Sequence, residues 1–211
     1  MSESENIVIW AENLKIGNWP ENFIIIIKGN EIVGITGLNT EDKQELLKIF
    51  GCIKKPNNGR YIFDYEDTSL LEIKRLESIR RNKIGYVFNS PRLLNDLNVI
   101  KNVTLWLDYI YPRKKAYEMG MNILKEIGMK DKRHYKIDQL SNLEKVLVSL
   151  GSALINKPLL LLVDDVYTYL RPDEIVEVNN LFRKYAHNGT TIIILADAVN
   201  NLSIVDRIVN L

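Results

Sequence analysis

The sequence predicts an α/β fold in which a mainly parallel sheet forms the core and a block of helices is inserted into it. Apolar runs of strand length recur along the chain and alternate with helical stretches, which is typical of a parallel sheet covered by helices. The segment 92–154 interrupts this alternation with successive helices. A length of 211 residues with 46% hydrophobic content is enough for one full core. We therefore expect one domain over 1–211, with a helical subdomain at 92–154.

Seven short apolar runs are predicted to be strands because each is rich in β-branched or aliphatic residues and is bounded by polar or turn residues. They are residues 7–10, 23–27, 32–36, 84–88, 159–163, 191–195 and 205–209. The segment 54–60 (KKPNNGR) is predicted to be a turn because it is rich in Pro, Asn and Gly.

Helices are predicted within the inserted block at 98–111 and 114–127, and a third follows Ser141. The third is the best defined, because apolar residues recur at helical spacing from Leu143 to Leu154. Ser141 is suited to cap this helix, and Glu144 three residues later would complete a capping box.

Composition excludes several classes of function. Twenty-eight basic and 27 acidic residues give a net charge of +1, which offers no electrostatic basis for binding nucleic acid or an anionic membrane.

The acidic N-terminus lacks the features of a signal peptide, and the longest apolar runs, 23–27 and 159–163, are too short to span a bilayer. The single cysteine, Cys52, is expected to be buried. We expect a cytoplasmic chain that reaches a membrane only through a partner.

Residues 34–51 (GITGLNTEDKQELLKIFG) have the layout of a phosphate-binding loop between a strand and a helix. Against G-x-x-x-x-G-K-[ST], Gly37 and Lys43 match, Asp42 occupies the second glycine, and Gln44 replaces the hydroxyl that would hold Mg²⁺. Such a loop holds phosphate with bare backbone N–H groups, whereas Asp42 adds a Cβ and a negative charge. We expect Lys43 to neutralise Asp42. The alternative is a plain turn from strand to helix. The candidate nucleotide-binding residues are Gly37, Leu38, Asn39, Thr40, Glu41, Asp42, Lys43 and Gln44.

Four later segments occur in an order that favours a nucleotide-binding site over a plain turn at residues 34–51. They are residues 84–103 (IGYVFNSPRLLNDLNVIKNV), 140–158 (LSNLEKVLVSLGSALINKP), 159–170 (LLLLVDDVYTYL) and 190–199 (TTIIILADAV). These segments resemble the Q-loop, the signature helix, the Walker B strand with the D-loop, and the H-loop of ATP-binding cassette (ABC) subunits. The closest similarity is to the subgroup that serves lipoprotein release, macrolide and peptide export, and cell-division signalling. The resemblance covers residues 7–211 and implies a P-loop NTPase-like fold.

The resemblance assigns roles to three polar residues near strand ends. Asp164 matches the aspartate that holds Mg²⁺, and Asn89 replaces the Q-loop glutamine that reaches the metal. Asp165 replaces the catalytic glutamate, and its shorter side chain would misplace the carboxylate by about 1 Å, which can cost about 100-fold in rate. The alternative for Asp164 and Asp165 is that two acidic residues simply end a buried strand.

Two further roles follow from the resemblance. The membrane subunit's coupling helix would dock on Tyr86, Phe88, Leu93 and Leu94, although Tyr86 and Phe88 could equally pack in the core. Ser141 matches the signature serine that meets the γ-phosphate of the partner's ATP. It is followed by Asn142-Leu143-Glu144 in place of the motif's remaining residues, so a simple N-cap accounts for Ser141 equally well.

Three more positions depart from the family pattern. Asp197 stands where the H-loop histidine would contact the γ-phosphate, and Arg171 stands where the D-loop has an aspartate. Trp19 is the nearest aromatic that could stack on adenine, although a core or surface role suits it better.

These departures lead to a prediction of a degenerate ABC subunit. Loss of one preorganised donor costs about 10²- to 10³-fold, and several are missing here together. We expect no tight cofactor, with ATP and Mg²⁺ bound weakly at most. The expected partners are an integral membrane permease and a second ABC subunit, identical or different, at the inner face of the cell membrane, and no nucleic acid. The alternatives are a working transport ATPase and a soluble interaction module without a membrane partner.

Overall fold

A computed structural model describes residues 6–17, 19, 23–196 and 203–211. Its centre is a five-stranded sheet in which every pairing is parallel, with the strand order β6-β7-β8-β3-β9. These strands are β3 (Ile32–Thr36), β6 (Ile84–Val87), β7 (Leu160–Asp164), β8 (Thr191–Leu195) and β9 (Arg207–Asn210). The predicted mainly parallel α/β core is confirmed.

A second sheet of four antiparallel strands packs against the first, in the order β2-β1-β4-β5. Its strands are β1 (Ile7–Glu12), β2 (Ile24–Lys28), β4 (Arg60–Phe63) and β5 (Glu66–Asp67). The first two were predicted from their apolar runs, whereas β4 and β5 were not. They are only four and two residues long and carry charged residues, so the pairing of β4 with β1 and of β5 with β4 decides their conformation.

Six α-helices connect or cover the strands in the described residues. They are α1 (Thr40–Phe50), α2 (Ile73–Lys83), α3 (Val99–Thr104), α4 (Arg113–Glu126), α5 (Asn142–Leu154) and α6 (Pro172–His187). Residues 92–154 contain α3, α4, α5 and short 3-10 turns. The predicted helix at 98–111 is wrong in its second half, because α3 ends at Thr104 and a separate 3-10 turn spans Leu107–Tyr109. Apolar spacing continues across that break and so conceals it.

The parallel sheet is buried on both faces, which explains why its strands are continuously apolar. Alternate residues point to opposite sides: Leu161 and Val163 join the core with α3 to α6, while Leu160 and Leu162 join the core with α1 and the antiparallel sheet. Cys52 is buried in the latter core, where desolvation raises the pKa of its thiol to about 12. None of the helices in the described ranges is long and apolar enough to cross a bilayer.

Candidate functional site

Three of the predicted segments meet at the carboxyl edge of the parallel sheet, where open α/β sheets hold their ligands. β3 leads through Gly37 into α1, β7 ends at Asp164, and β8 lies between them with Leu195 opposite Asp164. The Lys43 side chain extends from α1 towards the end of β7, and its Nζ lies 3.9 Å from Asp164 Oδ1. The side chains predicted for the phosphate loop and the Walker B strand therefore lie together.

The first turn of α1 occupies most of the predicted phosphate loop. The helix begins at Thr40, and Asn39 caps it by accepting a 2.9 Å hydrogen bond from the Asp42 N–H to its Oδ1. The Lys43 N–H donates to the Asn39 carbonyl at 2.9 Å. The Asp42 N–H is one that a helix N-terminus would otherwise offer to an anion, and the Asn39 cap occupies it, whereas the Lys43 N–H makes the first regular bond of the helix. The alternative of a strand-to-helix turn thus describes the backbone from Gly37 onward.

The Asp42 carboxylate lies at the N-terminal end of α1. Its Oδ2 accepts a 2.8 Å hydrogen bond from Asn39 Nδ2. Its Oδ1 packs so closely on Gly17 that a Cβ added to Gly17 would lie 2.2 Å from that oxygen. With Glu41, it places two negative charges in the first turn, where they stabilise the helix dipole. The same charges oppose a phosphate at this end of the helix.

Gly37 is constrained by the C-terminal strand. Its φ is +84°, and an added Cβ would lie 2.2 Å from the Leu211 carbonyl oxygen and 2.7 Å from Asn210 Oδ1. The Leu211 N–H in turn donates to the Thr36 carbonyl at 3.0 Å. Beside it, Leu38 packs into the core between the two sheets. Close packing of the protein on itself therefore accounts for this glycine.

Lys43 is buried, with only 9% of its surface exposed, and its ion pair in the described residues is with Asp164. The expected pairing of Lys43 with Asp42 is wrong, because the Asp42 carboxylate points to Asn39 and Gly17 instead. Gln44, one residue on, is exposed on the surface of α1. The described chain holds no group of three His, Cys, Asp or Glu side chains arranged to ligate a metal.

Asp165, the candidate catalytic residue, is buried, with only 5% of its surface exposed. Its backbone is in the left-handed region with φ of 30°, and its N–H donates to the Leu195 carbonyl at 2.9 Å. Its Oδ1 has no hydrogen-bond partner among the described residues. Burial and the Asp165 charge both raise the pKa of Tyr167, whose hydroxyl donates to Asn179 Oδ1 at 2.8 Å. A carboxylate in this setting is costly unless something else satisfies it.

Asn89, the candidate Q-loop residue, follows β6, and β6 is the neighbour of β7, which ends at Asp164. The same stretch of chain lines a groove of about 750 Å³, here called the docking groove. Tyr86, Phe88, Leu93 and Leu94, the four residues predicted to meet a membrane subunit, all line it. Tyr86 and Phe88 also stack on each other, with ring centroids 4.3 Å apart. Burial, and to a smaller extent Asp164, raises the pKa of Tyr86.

Three further residues line the docking groove and were not among the predicted docking residues. They are Trp106, Tyr109 and Ile110, from the segment around the 3-10 turn after α3. Their apolar character was visible in the sequence, but they were assigned to a continuous helix. Only the break after Thr104 shows how they come to face the groove.

Ser141 caps α5 through a capping box. Its Oγ accepts from the Glu144 N–H at 3.2 Å, and its own N–H donates to Glu144 Oε2 at 3.0 Å. Lys132 forms an ion pair with Glu144. Burial by itself would raise the pKa of Glu144, but the Lys132 ammonium and the Ser141 groups outweigh it and lower the pKa. The local geometry of Ser141 is therefore that of an N-cap, and the Glu144 carboxylate lies beside it.

Of the remaining positions, Asp197 lies outside the described residues. Arg171 precedes α6 and forms ion pairs within its own segment, with Asp173 at 3.4 Å and Glu174 at 3.3 Å. Trp19 packs edge-on against Phe23, with ring centroids 5.2 Å apart, and contacts the core between the sheets. The core role weighed for Trp19 agrees with this packing.

Comparison with known proteins identifies the family. The family model described as ABC transporter matches residues 21–168 of this chain. The chain belongs to the ABC transporter family. The expected ABC fold and the expected similarity to the export and lipoprotein-release subgroup are confirmed.

Two relatives and one solved structure place the chain within the ABC family. The macrolide export ATP-binding/permease protein MacB of Vibrio parahaemolyticus is 31% identical over 88% of this chain, which spans only 28% of MacB. The lipoprotein-releasing system ATP-binding protein LolD of Aquifex aeolicus is 31% identical, over 89% of this chain and 86% of LolD. The dimeric ATP-binding cassette MJ0796, solved with ADP and Pi, superposes with a TM-score of 0.83 at 27% identity, covering 96% of this chain and 94% of that one.

Proposed function

We propose that this ABC chain is a degenerate ATP-binding subunit that hydrolyses ATP very slowly or not at all and serves a permease complex as a structural or regulatory partner. The observation that carries the proposal is the Asp42 carboxylate at the N-terminal end of α1, held by Asn39 and packed on Gly17. A like charge about 4 Å from a phosphate costs on the order of a few kcal/mol at a surface-like dielectric. Moving Asp42 away would also break its hydrogen bonds with Asn39.

The signature segment supports the same proposal. Ser141 Oγ accepts the Glu144 N–H, so both groups are bonded to each other at the N-terminus of α5. The neighbouring Glu144 carboxylate is fixed there by Lys132 and the Ser141 N–H. A nucleotide that approached this helix from a second subunit would meet a negative charge instead of a row of glycine N–H groups.

The residues at the sheet edge do not fit magnesium in the family's manner. Gln44 supplies no hydroxyl and is exposed on α1, while Asp164 faces the Lys43 ammonium. A cation already compensates the one carboxylate predicted to hold the metal. We therefore assign no step that depends on magnesium to this chain, and Asn89 stays a predicted ligand only.

The proposed partner is an integral membrane permease, since the name of MacB describes that relative as an ATP-binding/permease protein. The docking groove supports this partner, because Tyr86, Phe88, Leu93 and Leu94 line one continuous depression. Binding there would hold the chain at the inner face of the membrane. A second ABC subunit, identical or different, is proposed beside it, since MJ0796 forms a dimer. Nothing in the charge balance calls for a nucleic acid partner.

A working transport ATPase is the second candidate function. It is favoured by the meeting of Lys43 and Asp164 at the carboxyl edge of the sheet and by the buried Asp165 carboxylate, whose Oδ1 lacks a partner among the described residues. These are residue types that phosphoryl transfer requires at that edge. They could bind and hydrolyse ATP only if the Asp42 carboxylate moved away from the N-terminal end of α1.

Phosphate release distinguishes the two functions. We expect the purified chain with Mg²⁺ and ATP to release phosphate at the background rate, and we expect Lys43→Ala to release it at the same rate. The control is Lys48→Ala, an exposed lysine on the same helix. Turnover by the wild-type chain that Lys43→Ala abolishes and Lys48→Ala preserves would establish the ATPase and refute the degenerate subunit.

A further inference from the structure

A second cavity, here called the helical-block cavity, lies on the inserted helical block. It is formed by α3, the first turns of α4 and the loop that contains His134. Its volume is about 500 Å³, which is within the range of small-molecule sites. It shares no lining residue with the docking groove, and none of its lining residues belongs to the sheet edge where Lys43 meets Asp164. The helical-block cavity is therefore a separate feature of the chain.

Positive side chains dominate the lining of this cavity. Lys101, Arg113 and Lys114 line it together with one acidic residue, Asp108. The Lys101 ammonium lies 3.0 Å from Asp108 Oδ2 and compensates that carboxylate. In the part of the chain that the structure describes, neither Arg113 nor Lys114 forms an ion pair. Two cations at the cavity are thus uncompensated by these residues.

The first turn of α4 brings backbone donors to the edge of the cavity. This helix begins at Arg113, its N-cap residue is Pro112, and no side chain caps it. The Ala116 N–H donates to the Pro112 carbonyl at 3.1 Å, so the N–H groups of residues 113–115 precede the first helical bond. Residues 113–115 are all basic, and positive charges at a helix N-terminus oppose the helix dipole. A bound anion would accept from the N–H groups and offset this repulsion.

Thr104 of α3 is the independent observation that points to a ligand. It lines the cavity although only 2% of its surface is exposed. Its methyl group faces α4, since a Cβ added to Gly120 would lie 2.4 Å from Thr104 Cγ2. Its hydroxyl forms no hydrogen bond with the side chains and backbone of the described residues. A buried hydroxyl without a partner costs free energy, so a hydrogen-bond acceptor in the cavity would be favourable here.

We propose that the helical-block cavity binds a ligand that carries a single phosphoester group. Arg113 and Lys114 pair with the phosphate oxygens, the free N–H groups of the first turn of α4 donate to them, and the Thr104 hydroxyl donates from the opposite helix. Phosphate oxygens accept several hydrogen bonds at once, and charge-assisted bonds to a guanidinium are among the strongest that proteins make. The inference goes beyond the proposed function and does not depend on it.

The rest of the lining limits the ligand further. Ile100 and Tyr117 give the cavity an apolar surface on which the organic part of a phosphoester can pack. A phosphate monoester carries a charge of about −1.5 to −2 at neutral pH, which the two uncompensated cations match. A longer polyphosphate chain carries more charge than these cations supply and would also meet the Asp108 carboxylate. The chemistry therefore favours one phosphate group, either on a free metabolite or on a lipid headgroup.

Two probes separate these sources. Glycerol 3-phosphate represents the free phosphoester and is titrated into the full chain by isothermal titration calorimetry. Vesicles of phosphatidylglycerol represent the lipid headgroup and are compared with phosphatidylcholine vesicles by co-sedimentation. The double variant Arg113→Ala, Lys114→Ala should weaken binding of the responding probe at least about 10-fold, because both charge-assisted contacts are lost.

The matched control is the double variant Lys125→Ala, Lys130→Ala. It also removes two positive charges, from the end of α4 and from the turn that follows, and both lysines are exposed and lie outside the cavity. We expect this control to bind as the wild-type chain does. Circular dichroism checks that each variant is folded.

Thr104→Val tests the buried hydroxyl while keeping the shape of the side chain. We expect binding to weaken about 2- to 10-fold, since one hydrogen bond to the ligand is lost. The unfolding temperature without ligand should not fall, because the hydroxyl has no partner among the described residues. Unchanged binding with a lower unfolding temperature would show that Thr104 is a structural residue only and would remove it from the site.

The two probes give distinct outcomes. Saturable binding of glycerol 3-phosphate that the Arg113→Ala, Lys114→Ala variant loses supports a free phosphoester. Co-sedimentation with phosphatidylglycerol alone, lost in the same variant and without glycerol 3-phosphate binding, supports a lipid headgroup. Binding of neither probe overturns the proposal. So does binding that this variant retains, or that the lysine control loses equally, since general surface charge would then explain it. None of these outcomes depends on whether the chain hydrolyses ATP.

Discussion

The double variant Asp42→Gly, Gln44→Ser is expected to bind ATP about 100-fold more tightly than the wild-type chain. Removing the Asp42 carboxylate removes a repulsion on the order of a few kcal/mol, and about 1.4 kcal/mol corresponds to a tenfold change in affinity. Glycine at this position also opens the space that the carboxylate fills against Gly17 and Asn39. Isothermal titration calorimetry with Mg²⁺ and ATP on both proteins measures the change.

Asp42→Asn is the control that separates charge from shape. It removes the negative charge and keeps the Cβ and a side chain that can still accept from Asn39 Nδ2. We expect it to recover only part of the gain, since the first turn of α1 stays filled. If the double variant binds no better than the wild type, the first turn of α1 is not what limits binding, and the account of this loop fails.

Gly37→Ala is expected to lower the free energy of unfolding by about 2 to 5 kcal/mol. About 1 to 2 kcal/mol arises from the left-handed backbone conformation, since φ is +84°. A further 1 to 3 kcal/mol, roughly, arises from overpacking, because the new Cβ would lie 2.2 Å from the Leu211 carbonyl oxygen and 2.7 Å from Asn210 Oδ1. Urea unfolding followed by circular dichroism gives the value.

Gly128→Ala is a matched control for this prediction. Gly128 also has a positive φ, of +73°, but an added Cβ there meets nothing within 4 Å. Its substitution should cost only the conformational part, about 1 to 2 kcal/mol. Equal losses in the two variants would show that contact with the C-terminal strand does not constrain Gly37, and that its retention needs another explanation.

The elements that the sequence predicted well are those with strong local signals. The strands at 32–36 and 191–195 coincide with β3 and β8, since buried parallel strands are uninterrupted apolar runs. The cap at Ser141 was also predicted, because a capping box is a pattern of two residues three apart. By contrast, β4 pairs with β1 and β5 pairs with β4, and strands of only four and two residues leave little signal of their own.

At the candidate site, the residues that depart from the motif could be read from the sequence, but the residues that they contact could not. Asn39 before Thr-Glu-Asp is a typical N-cap pattern. This cap was not predicted, because residues 34–51 were compared only with the phosphate-loop motif. The contacts of Asp42 with Gly17 and of Gly37 with Leu211 join residues distant in sequence, so no local pattern contains them. The same holds for Lys43, whose pairing with Asp164 follows from the order of strands in the sheet.

These contacts also give a physical reason why a phosphate-loop layout can persist without phosphate. Gly37 is needed by the C-terminal strand, and Lys43 compensates Asp164 in a largely buried position. Removing either would cost stability whether or not a nucleotide binds. Gln44, which departs from the motif, is exposed on α1, where the fold makes no such demand.

Titration of the wild-type chain with ATP and Mg²⁺ shows whether this chain is a degenerate ATP-binding subunit. A fluorescent ATP analogue displaced by unlabelled ATP gives the dissociation constant. We expect no saturable binding below about 1 mM, which corresponds to a binding free energy weaker than about −4 kcal/mol. A micromolar dissociation constant accompanied by measurable turnover would contradict it.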